Sequence, residues 1–263
     1  MKDDSTPLDP IKLALPKGGV AYLALRYSLE FVVVVLGITV SFWFNEWNEH
    51  QRELTYQAKD ASDLLQDLRS DLSRLEVVAG DIEVGLEQTE RIAEHCQLFQ
   101  RGGMTYAHFA DSLIQIGAPY SWRTFFMNDG TYKTLLNNGR LQNFPSEVED
   151  AVKEYYEYVS KRVRDNNNIV DNVSLNYYLG HHPLCHQWGP REKKLAFMSI
   201  PGIQAKYKSI EFYTGTIGFR SRISAHGYQI KEYMSIRATA DSLLSAFLIN
   251  HPTPVKENTN QRH

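Results

Sequence analysis

Three observations predict an all-α fold. Strand-like alternation of apolar and polar residues is scarce along the 263 residues. Apolar residues between Leu54 and Leu86 recur at alternating intervals of three and four, the spacing of one helix face. No proline falls between Pro16 and Pro119, so nothing breaks a helix over that stretch.

The first element is apolar. From Phe31 to Phe44 the chain carries no charge, and ten of these residues are Val, Leu, Ile or Phe. Fourteen residues make a helix of roughly 21 Å, shorter than a hydrocarbon core of about 30 Å. The flanks supply the missing length. Trp43 and Trp47 stand where an interfacial aromatic belt stands. Counting back some twenty residues reaches Arg26, which can snorkel to the other interface, with Glu30 about one turn deeper. The ten large apolar residues contribute about −3 to −6 kcal/mol to insertion, which outweighs one off-centre acid. Arg26 and Glu30 are spaced i,i+4 and can pair. The run leaves through Trp-Phe-Asn-Glu-Trp-Asn-Glu without an Ala-x-Ala cleavage pattern, so the expectation is a retained signal anchor over residues 21–47. Lys2, Lys12, Lys17 and Arg26 precede the span, whereas only Arg52 and Lys59 follow closely. The positive-inside rule then predicts residues 1–20 in the cytoplasm and the rest beyond the inner membrane, in a periplasm if the source is bacterial.

On a helical projection Arg26, Glu30, Gly37, Ser41, Asn45 and Asn48 fall on one face of this span. Small and polar residues on one face of a span are the pattern of helix–helix contact; a polar stripe around an acid is also the pattern of an ion or proton path. Beyond the span, residues 48–101 continue as an amphipathic helix. Leu54, Ala58, Ala61, Leu65, Leu68, Leu72, Leu75, Ala79, Ile82 and Leu86 form a heptad seam. The seam is expected to join copies of the chain, through Leu54, Leu65, Leu68, Leu72, Leu75, Ile82 and Leu86 above all, or to pack on the chain's own later helices. Gly102-Gly103 ends the helix.

Residues 102–250 read as a helical soluble domain. A short helix covers 104–117. Asn128-Asp129-Gly130 turns into and caps a helix from Thr131 to Asn138, closed by Gly139. Pro145-Ser146-Glu147 opens another that runs to about Leu179. Gly180 to Gly218 reads as irregular, and Arg220 to Asn250 as a last helix. Residues 251–263 form a polar tail expected to be disordered.

The apolar run opens with Glu30, has Gly37 midway, and leaves the membrane at Asn45-Glu46-Trp47-Asn48-Glu49. Further on stand Leu135-Leu136-Asn137-Asn138-Gly139-Arg140-Leu141 and then Tyr155-Tyr156. In these features the chain resembles an uncharacterised bacterial family, a domain of unknown function with a single N-terminal transmembrane helix. The resemblance covers residues 22–49 closely and 129–180 loosely. It implies membrane anchorage and helical content, and it brings no activity or catalytic residues.

The net charge of −3 leaves no basic field, so nucleic acid is not an expected partner. His181, His182, Cys185 and His186 are the densest set of candidate metal ligands. Four ligands within six residues, one proline among them, do not readily close a tetrahedron, and no second ligand pair completes it. A polar loop is the expectation. Cys96 and Cys185 are the only cysteines, able to form one disulfide outside the cytoplasm or to remain two thiols. No Gly-x-Ser-x-Gly, His-Glu-x-x-His or phosphate-cradling glycine loop occurs, so no enzyme and no cofactor is expected. The expected function is that of a membrane-anchored, self-associating helical interaction or sensor protein. Its partners are lipid, copies of itself and some other membrane or envelope protein. Alternatives are an oligomeric channel or proton-coupled subunit using Glu30, and a metal sensor using the histidine loop.

Overall fold

A computed structural model describes residues 19–119 and 124–251. The described residues are helical, with no strand among them. The longest helix, α1, runs from Val20 to Gln100. It is followed by α2 (Tyr106–Ile116), α3 (Gly130–Asn137), a 3-10 turn (Leu141–Asn143) and α4 (Ser146–Lys153). A π-helical segment (Glu154–Val159) leads into α5 (Ser160–Asn176), and a second (Tyr177–His181) leads out of it. A 3-10 turn (Pro183–His186), α6 (Arg191–Met198), α7 (Pro201–Lys208) and α8 (Ile210–Asn250) complete the chain. The chain divides into two units between Thr55 and Tyr56. The expected tails, 1–20 and 251–263, lie almost wholly outside the described residues.

The first unit is the N-terminal part of α1, and it is long and apolar enough to cross a membrane. Its side chains are exposed from Val20 through Phe44, apart from Ala21, which is not described. Its hydroxyls turn back on their own helix: Thr39 Oγ1 donates to the Val35 carbonyl and Ser41 Oγ to that of Gly37, each at 2.8 Å. Such back-bonds give these two hydroxyls a partner without water.

In the second unit one stripe of α1 is buried under the later helices. Ala61, Leu64, Leu65, Leu68, Leu75 and Ile82 pack with residues of α3, α4, the π segments and α8 in one core. Ile92 and Cys96 pack with α2, Tyr207 of α7 and Phe212 of α8 in another. The seam expected between copies is thus corrected: Leu65, Leu68, Leu75 and Ile82 are core residues of the same chain, and Leu72 and Leu86 flank that core half-buried. The buried line also turns by one position in alternate steps. Asp71, Val78 and Gly85 lie at its centre where Leu72, Ala79 and Leu86 were expected. Leu54 belongs to the first unit and is half-buried.

Local chemistry sets the helix ends. Gly102 adopts φ 76° as α1 closes, and the Gly103 N–H donates to the Leu98 carbonyl at 2.9 Å. Thr105 caps α2 by accepting from the His108 N–H. The region from 180 to 218, expected to be irregular, is largely helical. Its prolines punctuate instead of disrupting: Pro190 precedes α6 and Pro201 is the first residue of α7. α8 begins at Ile210, ten residues before the expected start. Burial of Phe212, Thr216 and Phe219 overrides the poor helix propensity of this glycine- and β-branched-rich stretch.

Both π segments carry adjacent tyrosines, Tyr155-Tyr156 and Tyr177-Tyr178, and all four are buried. Successive residues of a regular helix point about 100° apart. The wider i→i+5 turn brings both members of each pair inward.

Candidate functional site

Three sets of residues stand out, beginning with the face of the span. Arg26 Nε donates to Glu30 Oε1 at 3.0 Å, so the acid inside the apolar run is paired within its own helix. Gly37, Ser41 and Asn45 share a shallow groove. A Cβ added at Gly37 would meet no atom of this chain within 4 Å, so nothing in the chain itself calls for glycine there. Trp43 and Trp47 are exposed at the end of the apolar run, and Phe44 lies against Trp47 with ring centres 5.9 Å apart.

The second set is an acidic ladder on α1 that grips the 128–156 region. Asp60, Asp67 and Asp71 lie on one face, seven and four residues apart. Asp60 pairs with Arg140 at 3.1 Å. Asp67 accepts from Asn128 Nδ2 at 2.7 Å and from the Thr131 N–H at 3.3 Å. Asp71 accepts from the Asn128 N–H and the Tyr155 hydroxyl, each at 2.9 Å. Thr131 is in the first turn of α3, so Asp67 caps α3 from another helix. The expected cap, Asp129, makes no side-chain capping bond and pairs with Lys133 instead. Burial pushes the Asp71 carboxyl up to about 6, against the pull of its donors and of Arg74. Asp60 is likewise raised by burial, with Arg140 opposing. Tyr132 stacks on Tyr156 at 4.9 Å, and its hydroxyl donates to Glu157 at 2.6 Å. Arg237 of α8 closes the site, donating to the Leu68 carbonyl at 3.1 Å and to Asp241 at 2.8 Å. Each carboxylate oxygen of Asp67 and Asp71 already receives a donor. The arrangement clasps helices together.

The third set is the histidine loop, whose members diverge. His181 stacks on Tyr177 and lies against Gly215, where any Cβ would strike its ring. His182 is fully buried, with Nδ1 at 2.9 Å from the Tyr207 hydroxyl. That hydroxyl also accepts the Leu184 N–H at 2.9 Å. Burial holds His182 far below the ordinary imidazole range, at about 3. His186 lies edge-on to Tyr178, and Cys185 packs against the main core. Among the described residues, no group of three or more His, Cys, Asp or Glu is placed to hold a metal ion. The candidate set His181, His182, Cys185 and His186 is therefore not gathered: His181 lies against Tyr177, His182 among Tyr177, Tyr207 and Phe212, and His186 against Tyr178. Cys96 and Cys185 are both free thiols, raised by burial to about 11 and about 12.

Sequence reasoning missed the ladder. Asp71 reads in the sequence as one acid on the charged side of the seam, and the donors that justify it come from residues 57 and 84 positions away. It also missed a cavity of about 110 Å³ between α5 and α8.

These features define an all-helical protein with one helix apolar enough to cross a membrane and with a polar clasp on that same helix. The chain belongs to the Family of unknown function (DUF6090), whose model matches residues 30–178, more than half of its length. The match begins at Glu30 and takes in the whole ladder and its partners up to Tyr155. Comparison with curated proteins yields no match, and neither does comparison with solved structures.

Proposed function

We propose that this protein is anchored in the cytoplasmic membrane by a single span and self-associates through the polar face of that span. Its helical second unit binds another membrane or envelope component. The reading works through contact and not through catalysis. The observation that carries it is the face itself. The apolar run is uncovered by the rest of the chain, and its glycine is required by nothing within the chain. In lipid, close approach of two helices at a small residue supplies the packing that makes such a position useful. The pairing of Glu30 with Arg26 supports packing over conduction, since a paired acid is not a vacant cation or proton site. The seam that would have joined copies below the span is occupied by the chain's own core, so self-association falls to the span. The lysine-rich N-terminal flank supports a cytoplasmic N-terminus, with the second unit on the opposite side. Trp188 and Tyr228, 88% and 80% exposed, are large aromatic side chains of the kind enriched at protein contacts.

Mass measurement of the detergent-solubilised protein tests this reading. A defined oligomer that persists on dilution is expected, and a monomer at all concentrations would remove it. Glu30→Gln is expected to leave the oligomer and its partner binding largely intact. Loss of an ion or proton flux in that variant would replace the reading with a conducting one.

A further inference from the structure

A cavity opens between α5 and α8. Ile169, Val170, Val173, Phe219 and Ile223 make its walls apolar. Its volume of about 110 Å³ exceeds the share of a single water, roughly 30 Å³, and approaches that of a cavity that takes a six-carbon ring, about 150 Å³. An apolar void of this size at a helix–helix seam costs stability unless something fills it.

Its polar lining is Asn166, Ser174, Arg222, His226 and Gln229, and the Asn166 amide N–H is already given to the Tyr233 hydroxyl. Ser174 is 1% exposed, and its hydroxyl has no hydrogen-bond partner, not even the carbonyl one turn back that helical serines ordinarily use. A buried hydroxyl left unpaired is destabilising, and an acceptor would recover that cost. Arg222 is exposed at the same cavity, and among the described residues it has no ion-pair or side-chain hydrogen-bond partner. Gln229 adds a side-chain amide whose N–H can donate. His226 also lines the space, and burial holds it neutral near neutral pH, its pKa lowered to about 4. No carboxylate lines the cavity. The one full charge is therefore a cation, beside an apolar wall and an unsatisfied donor.

We propose that this cavity binds a short-chain monocarboxylate, its alkyl chain against Val170, Val173, Phe219 and Ile223 and its carboxylate held by Arg222 and Gln229. Volume limits the ligand to about six heavy atoms, the size of butyrate. The site bridges the family-matched segment, which ends at Tyr178, and the C-terminal helix, so the ligand acts as a small wedge between them. The inference rests on the reading of the second unit as a sensing or binding module, and it names the ligand class that module takes.

The test is a ligand-observed NMR titration of the full chain in detergent with butyrate, butan-1-ol and butylamine. Butyrate is expected to bind at least tenfold more tightly than either neutral or cationic analogue. Arg222→Gln, at an exposed position, is expected to reduce butyrate to the level of the alcohol without moving the unfolding midpoint. Ala225→Trp, also at an exposed position of the lining, is expected to abolish binding of all three by plugging the space. Equal affinity for butyrate and butan-1-ol would overturn the proposal, as would butyrate binding that survives Ala225→Trp unchanged. The oligomer mass read in the same samples separates the two readings. A monomer that binds butyrate ends only the self-association reading, and an oligomer blind to butyrate ends only this one.

Discussion

Asp71 is the residue on which the second unit turns. It is fully buried at the centre of the α1 stripe, between two apolar positions, Leu68 and Leu75. A carboxylate there is tolerable because the Asn128 N–H and the Tyr155 hydroxyl both donate to it, yet burial still raises its carboxyl to about 6. The sign follows from linkage. The folded chain binds this proton more tightly than the unfolded chain, whose value is near 3.8. The contribution of Asp71 to stability is therefore fullest below about pH 4 and is lost as pH rises through about 6. Two units of pKa correspond to about 3 kcal/mol at most. Denaturant unfolding of wild type and Asp71→Asn at several pH values checks this. The stability difference between them is expected to change between pH 4 and 6 and to stay level above pH 7. A difference constant from pH 4 to 8 would show that the carboxyl is not raised. No seam argument could have reached this result, because in the sequence Asp71 is one of many acids on a charged helix.

At the scale of elements, α1 is one continuous helix with two kinds of surface. Up to Phe44 its apolar side chains are uncovered, and from Ala58 onward a 3–4 stripe is covered by the chain's own helices. Leu68 and Leu72 separate the two uses of the heptad pattern. Leu68 is wholly buried, whereas Leu72 is half-buried at the flank. Leu68→Ala is expected to cost about 2–5 kcal/mol, and Leu72→Ala distinctly less. Both changes should shift the unfolding midpoint of the second unit equally at low and high protein concentration. A midpoint that rises with concentration would return these leucines to a seam between copies. Other elements were legible to different degrees. The end of α1 at Gly102 depends on neighbouring residues, and the sequence was enough to find it; the cap of α2 by Thr105 is equally local but was not read from the sequence. The start of α8 at Ile210 was not, since its first turns are helical only because Phe212 and Phe219 are buried against α7 and the second π segment.

For the whole molecule, the apolar helix to which the proposed function assigns membrane attachment and assembly belongs to one unit, and the polar clasp and cavity belong to the other. Gly37→Ile tests that separation. It is expected to lower the fraction of oligomer in detergent severalfold, by obstructing close helix approach, while the unfolding midpoint of the second unit stays where it is. Unchanged assembly would move the contact to another face of the span. The sequence alone determined the all-α class, the apolar span with its paired Arg26 and Glu30, and the unbroken helix that follows it. Each of these depends on local periodicity, on transfer energies and on residues a turn apart. The tertiary structure decided which stripe of α1 is buried, that Asp67 caps α3, that the histidine loop scatters its ligands, and that a cavity opens between α5 and α8. Each of these depends on which distant side chains meet, and a rotation of one residue about a helix axis, invisible to a 3–4 repeat, is enough to change the partners.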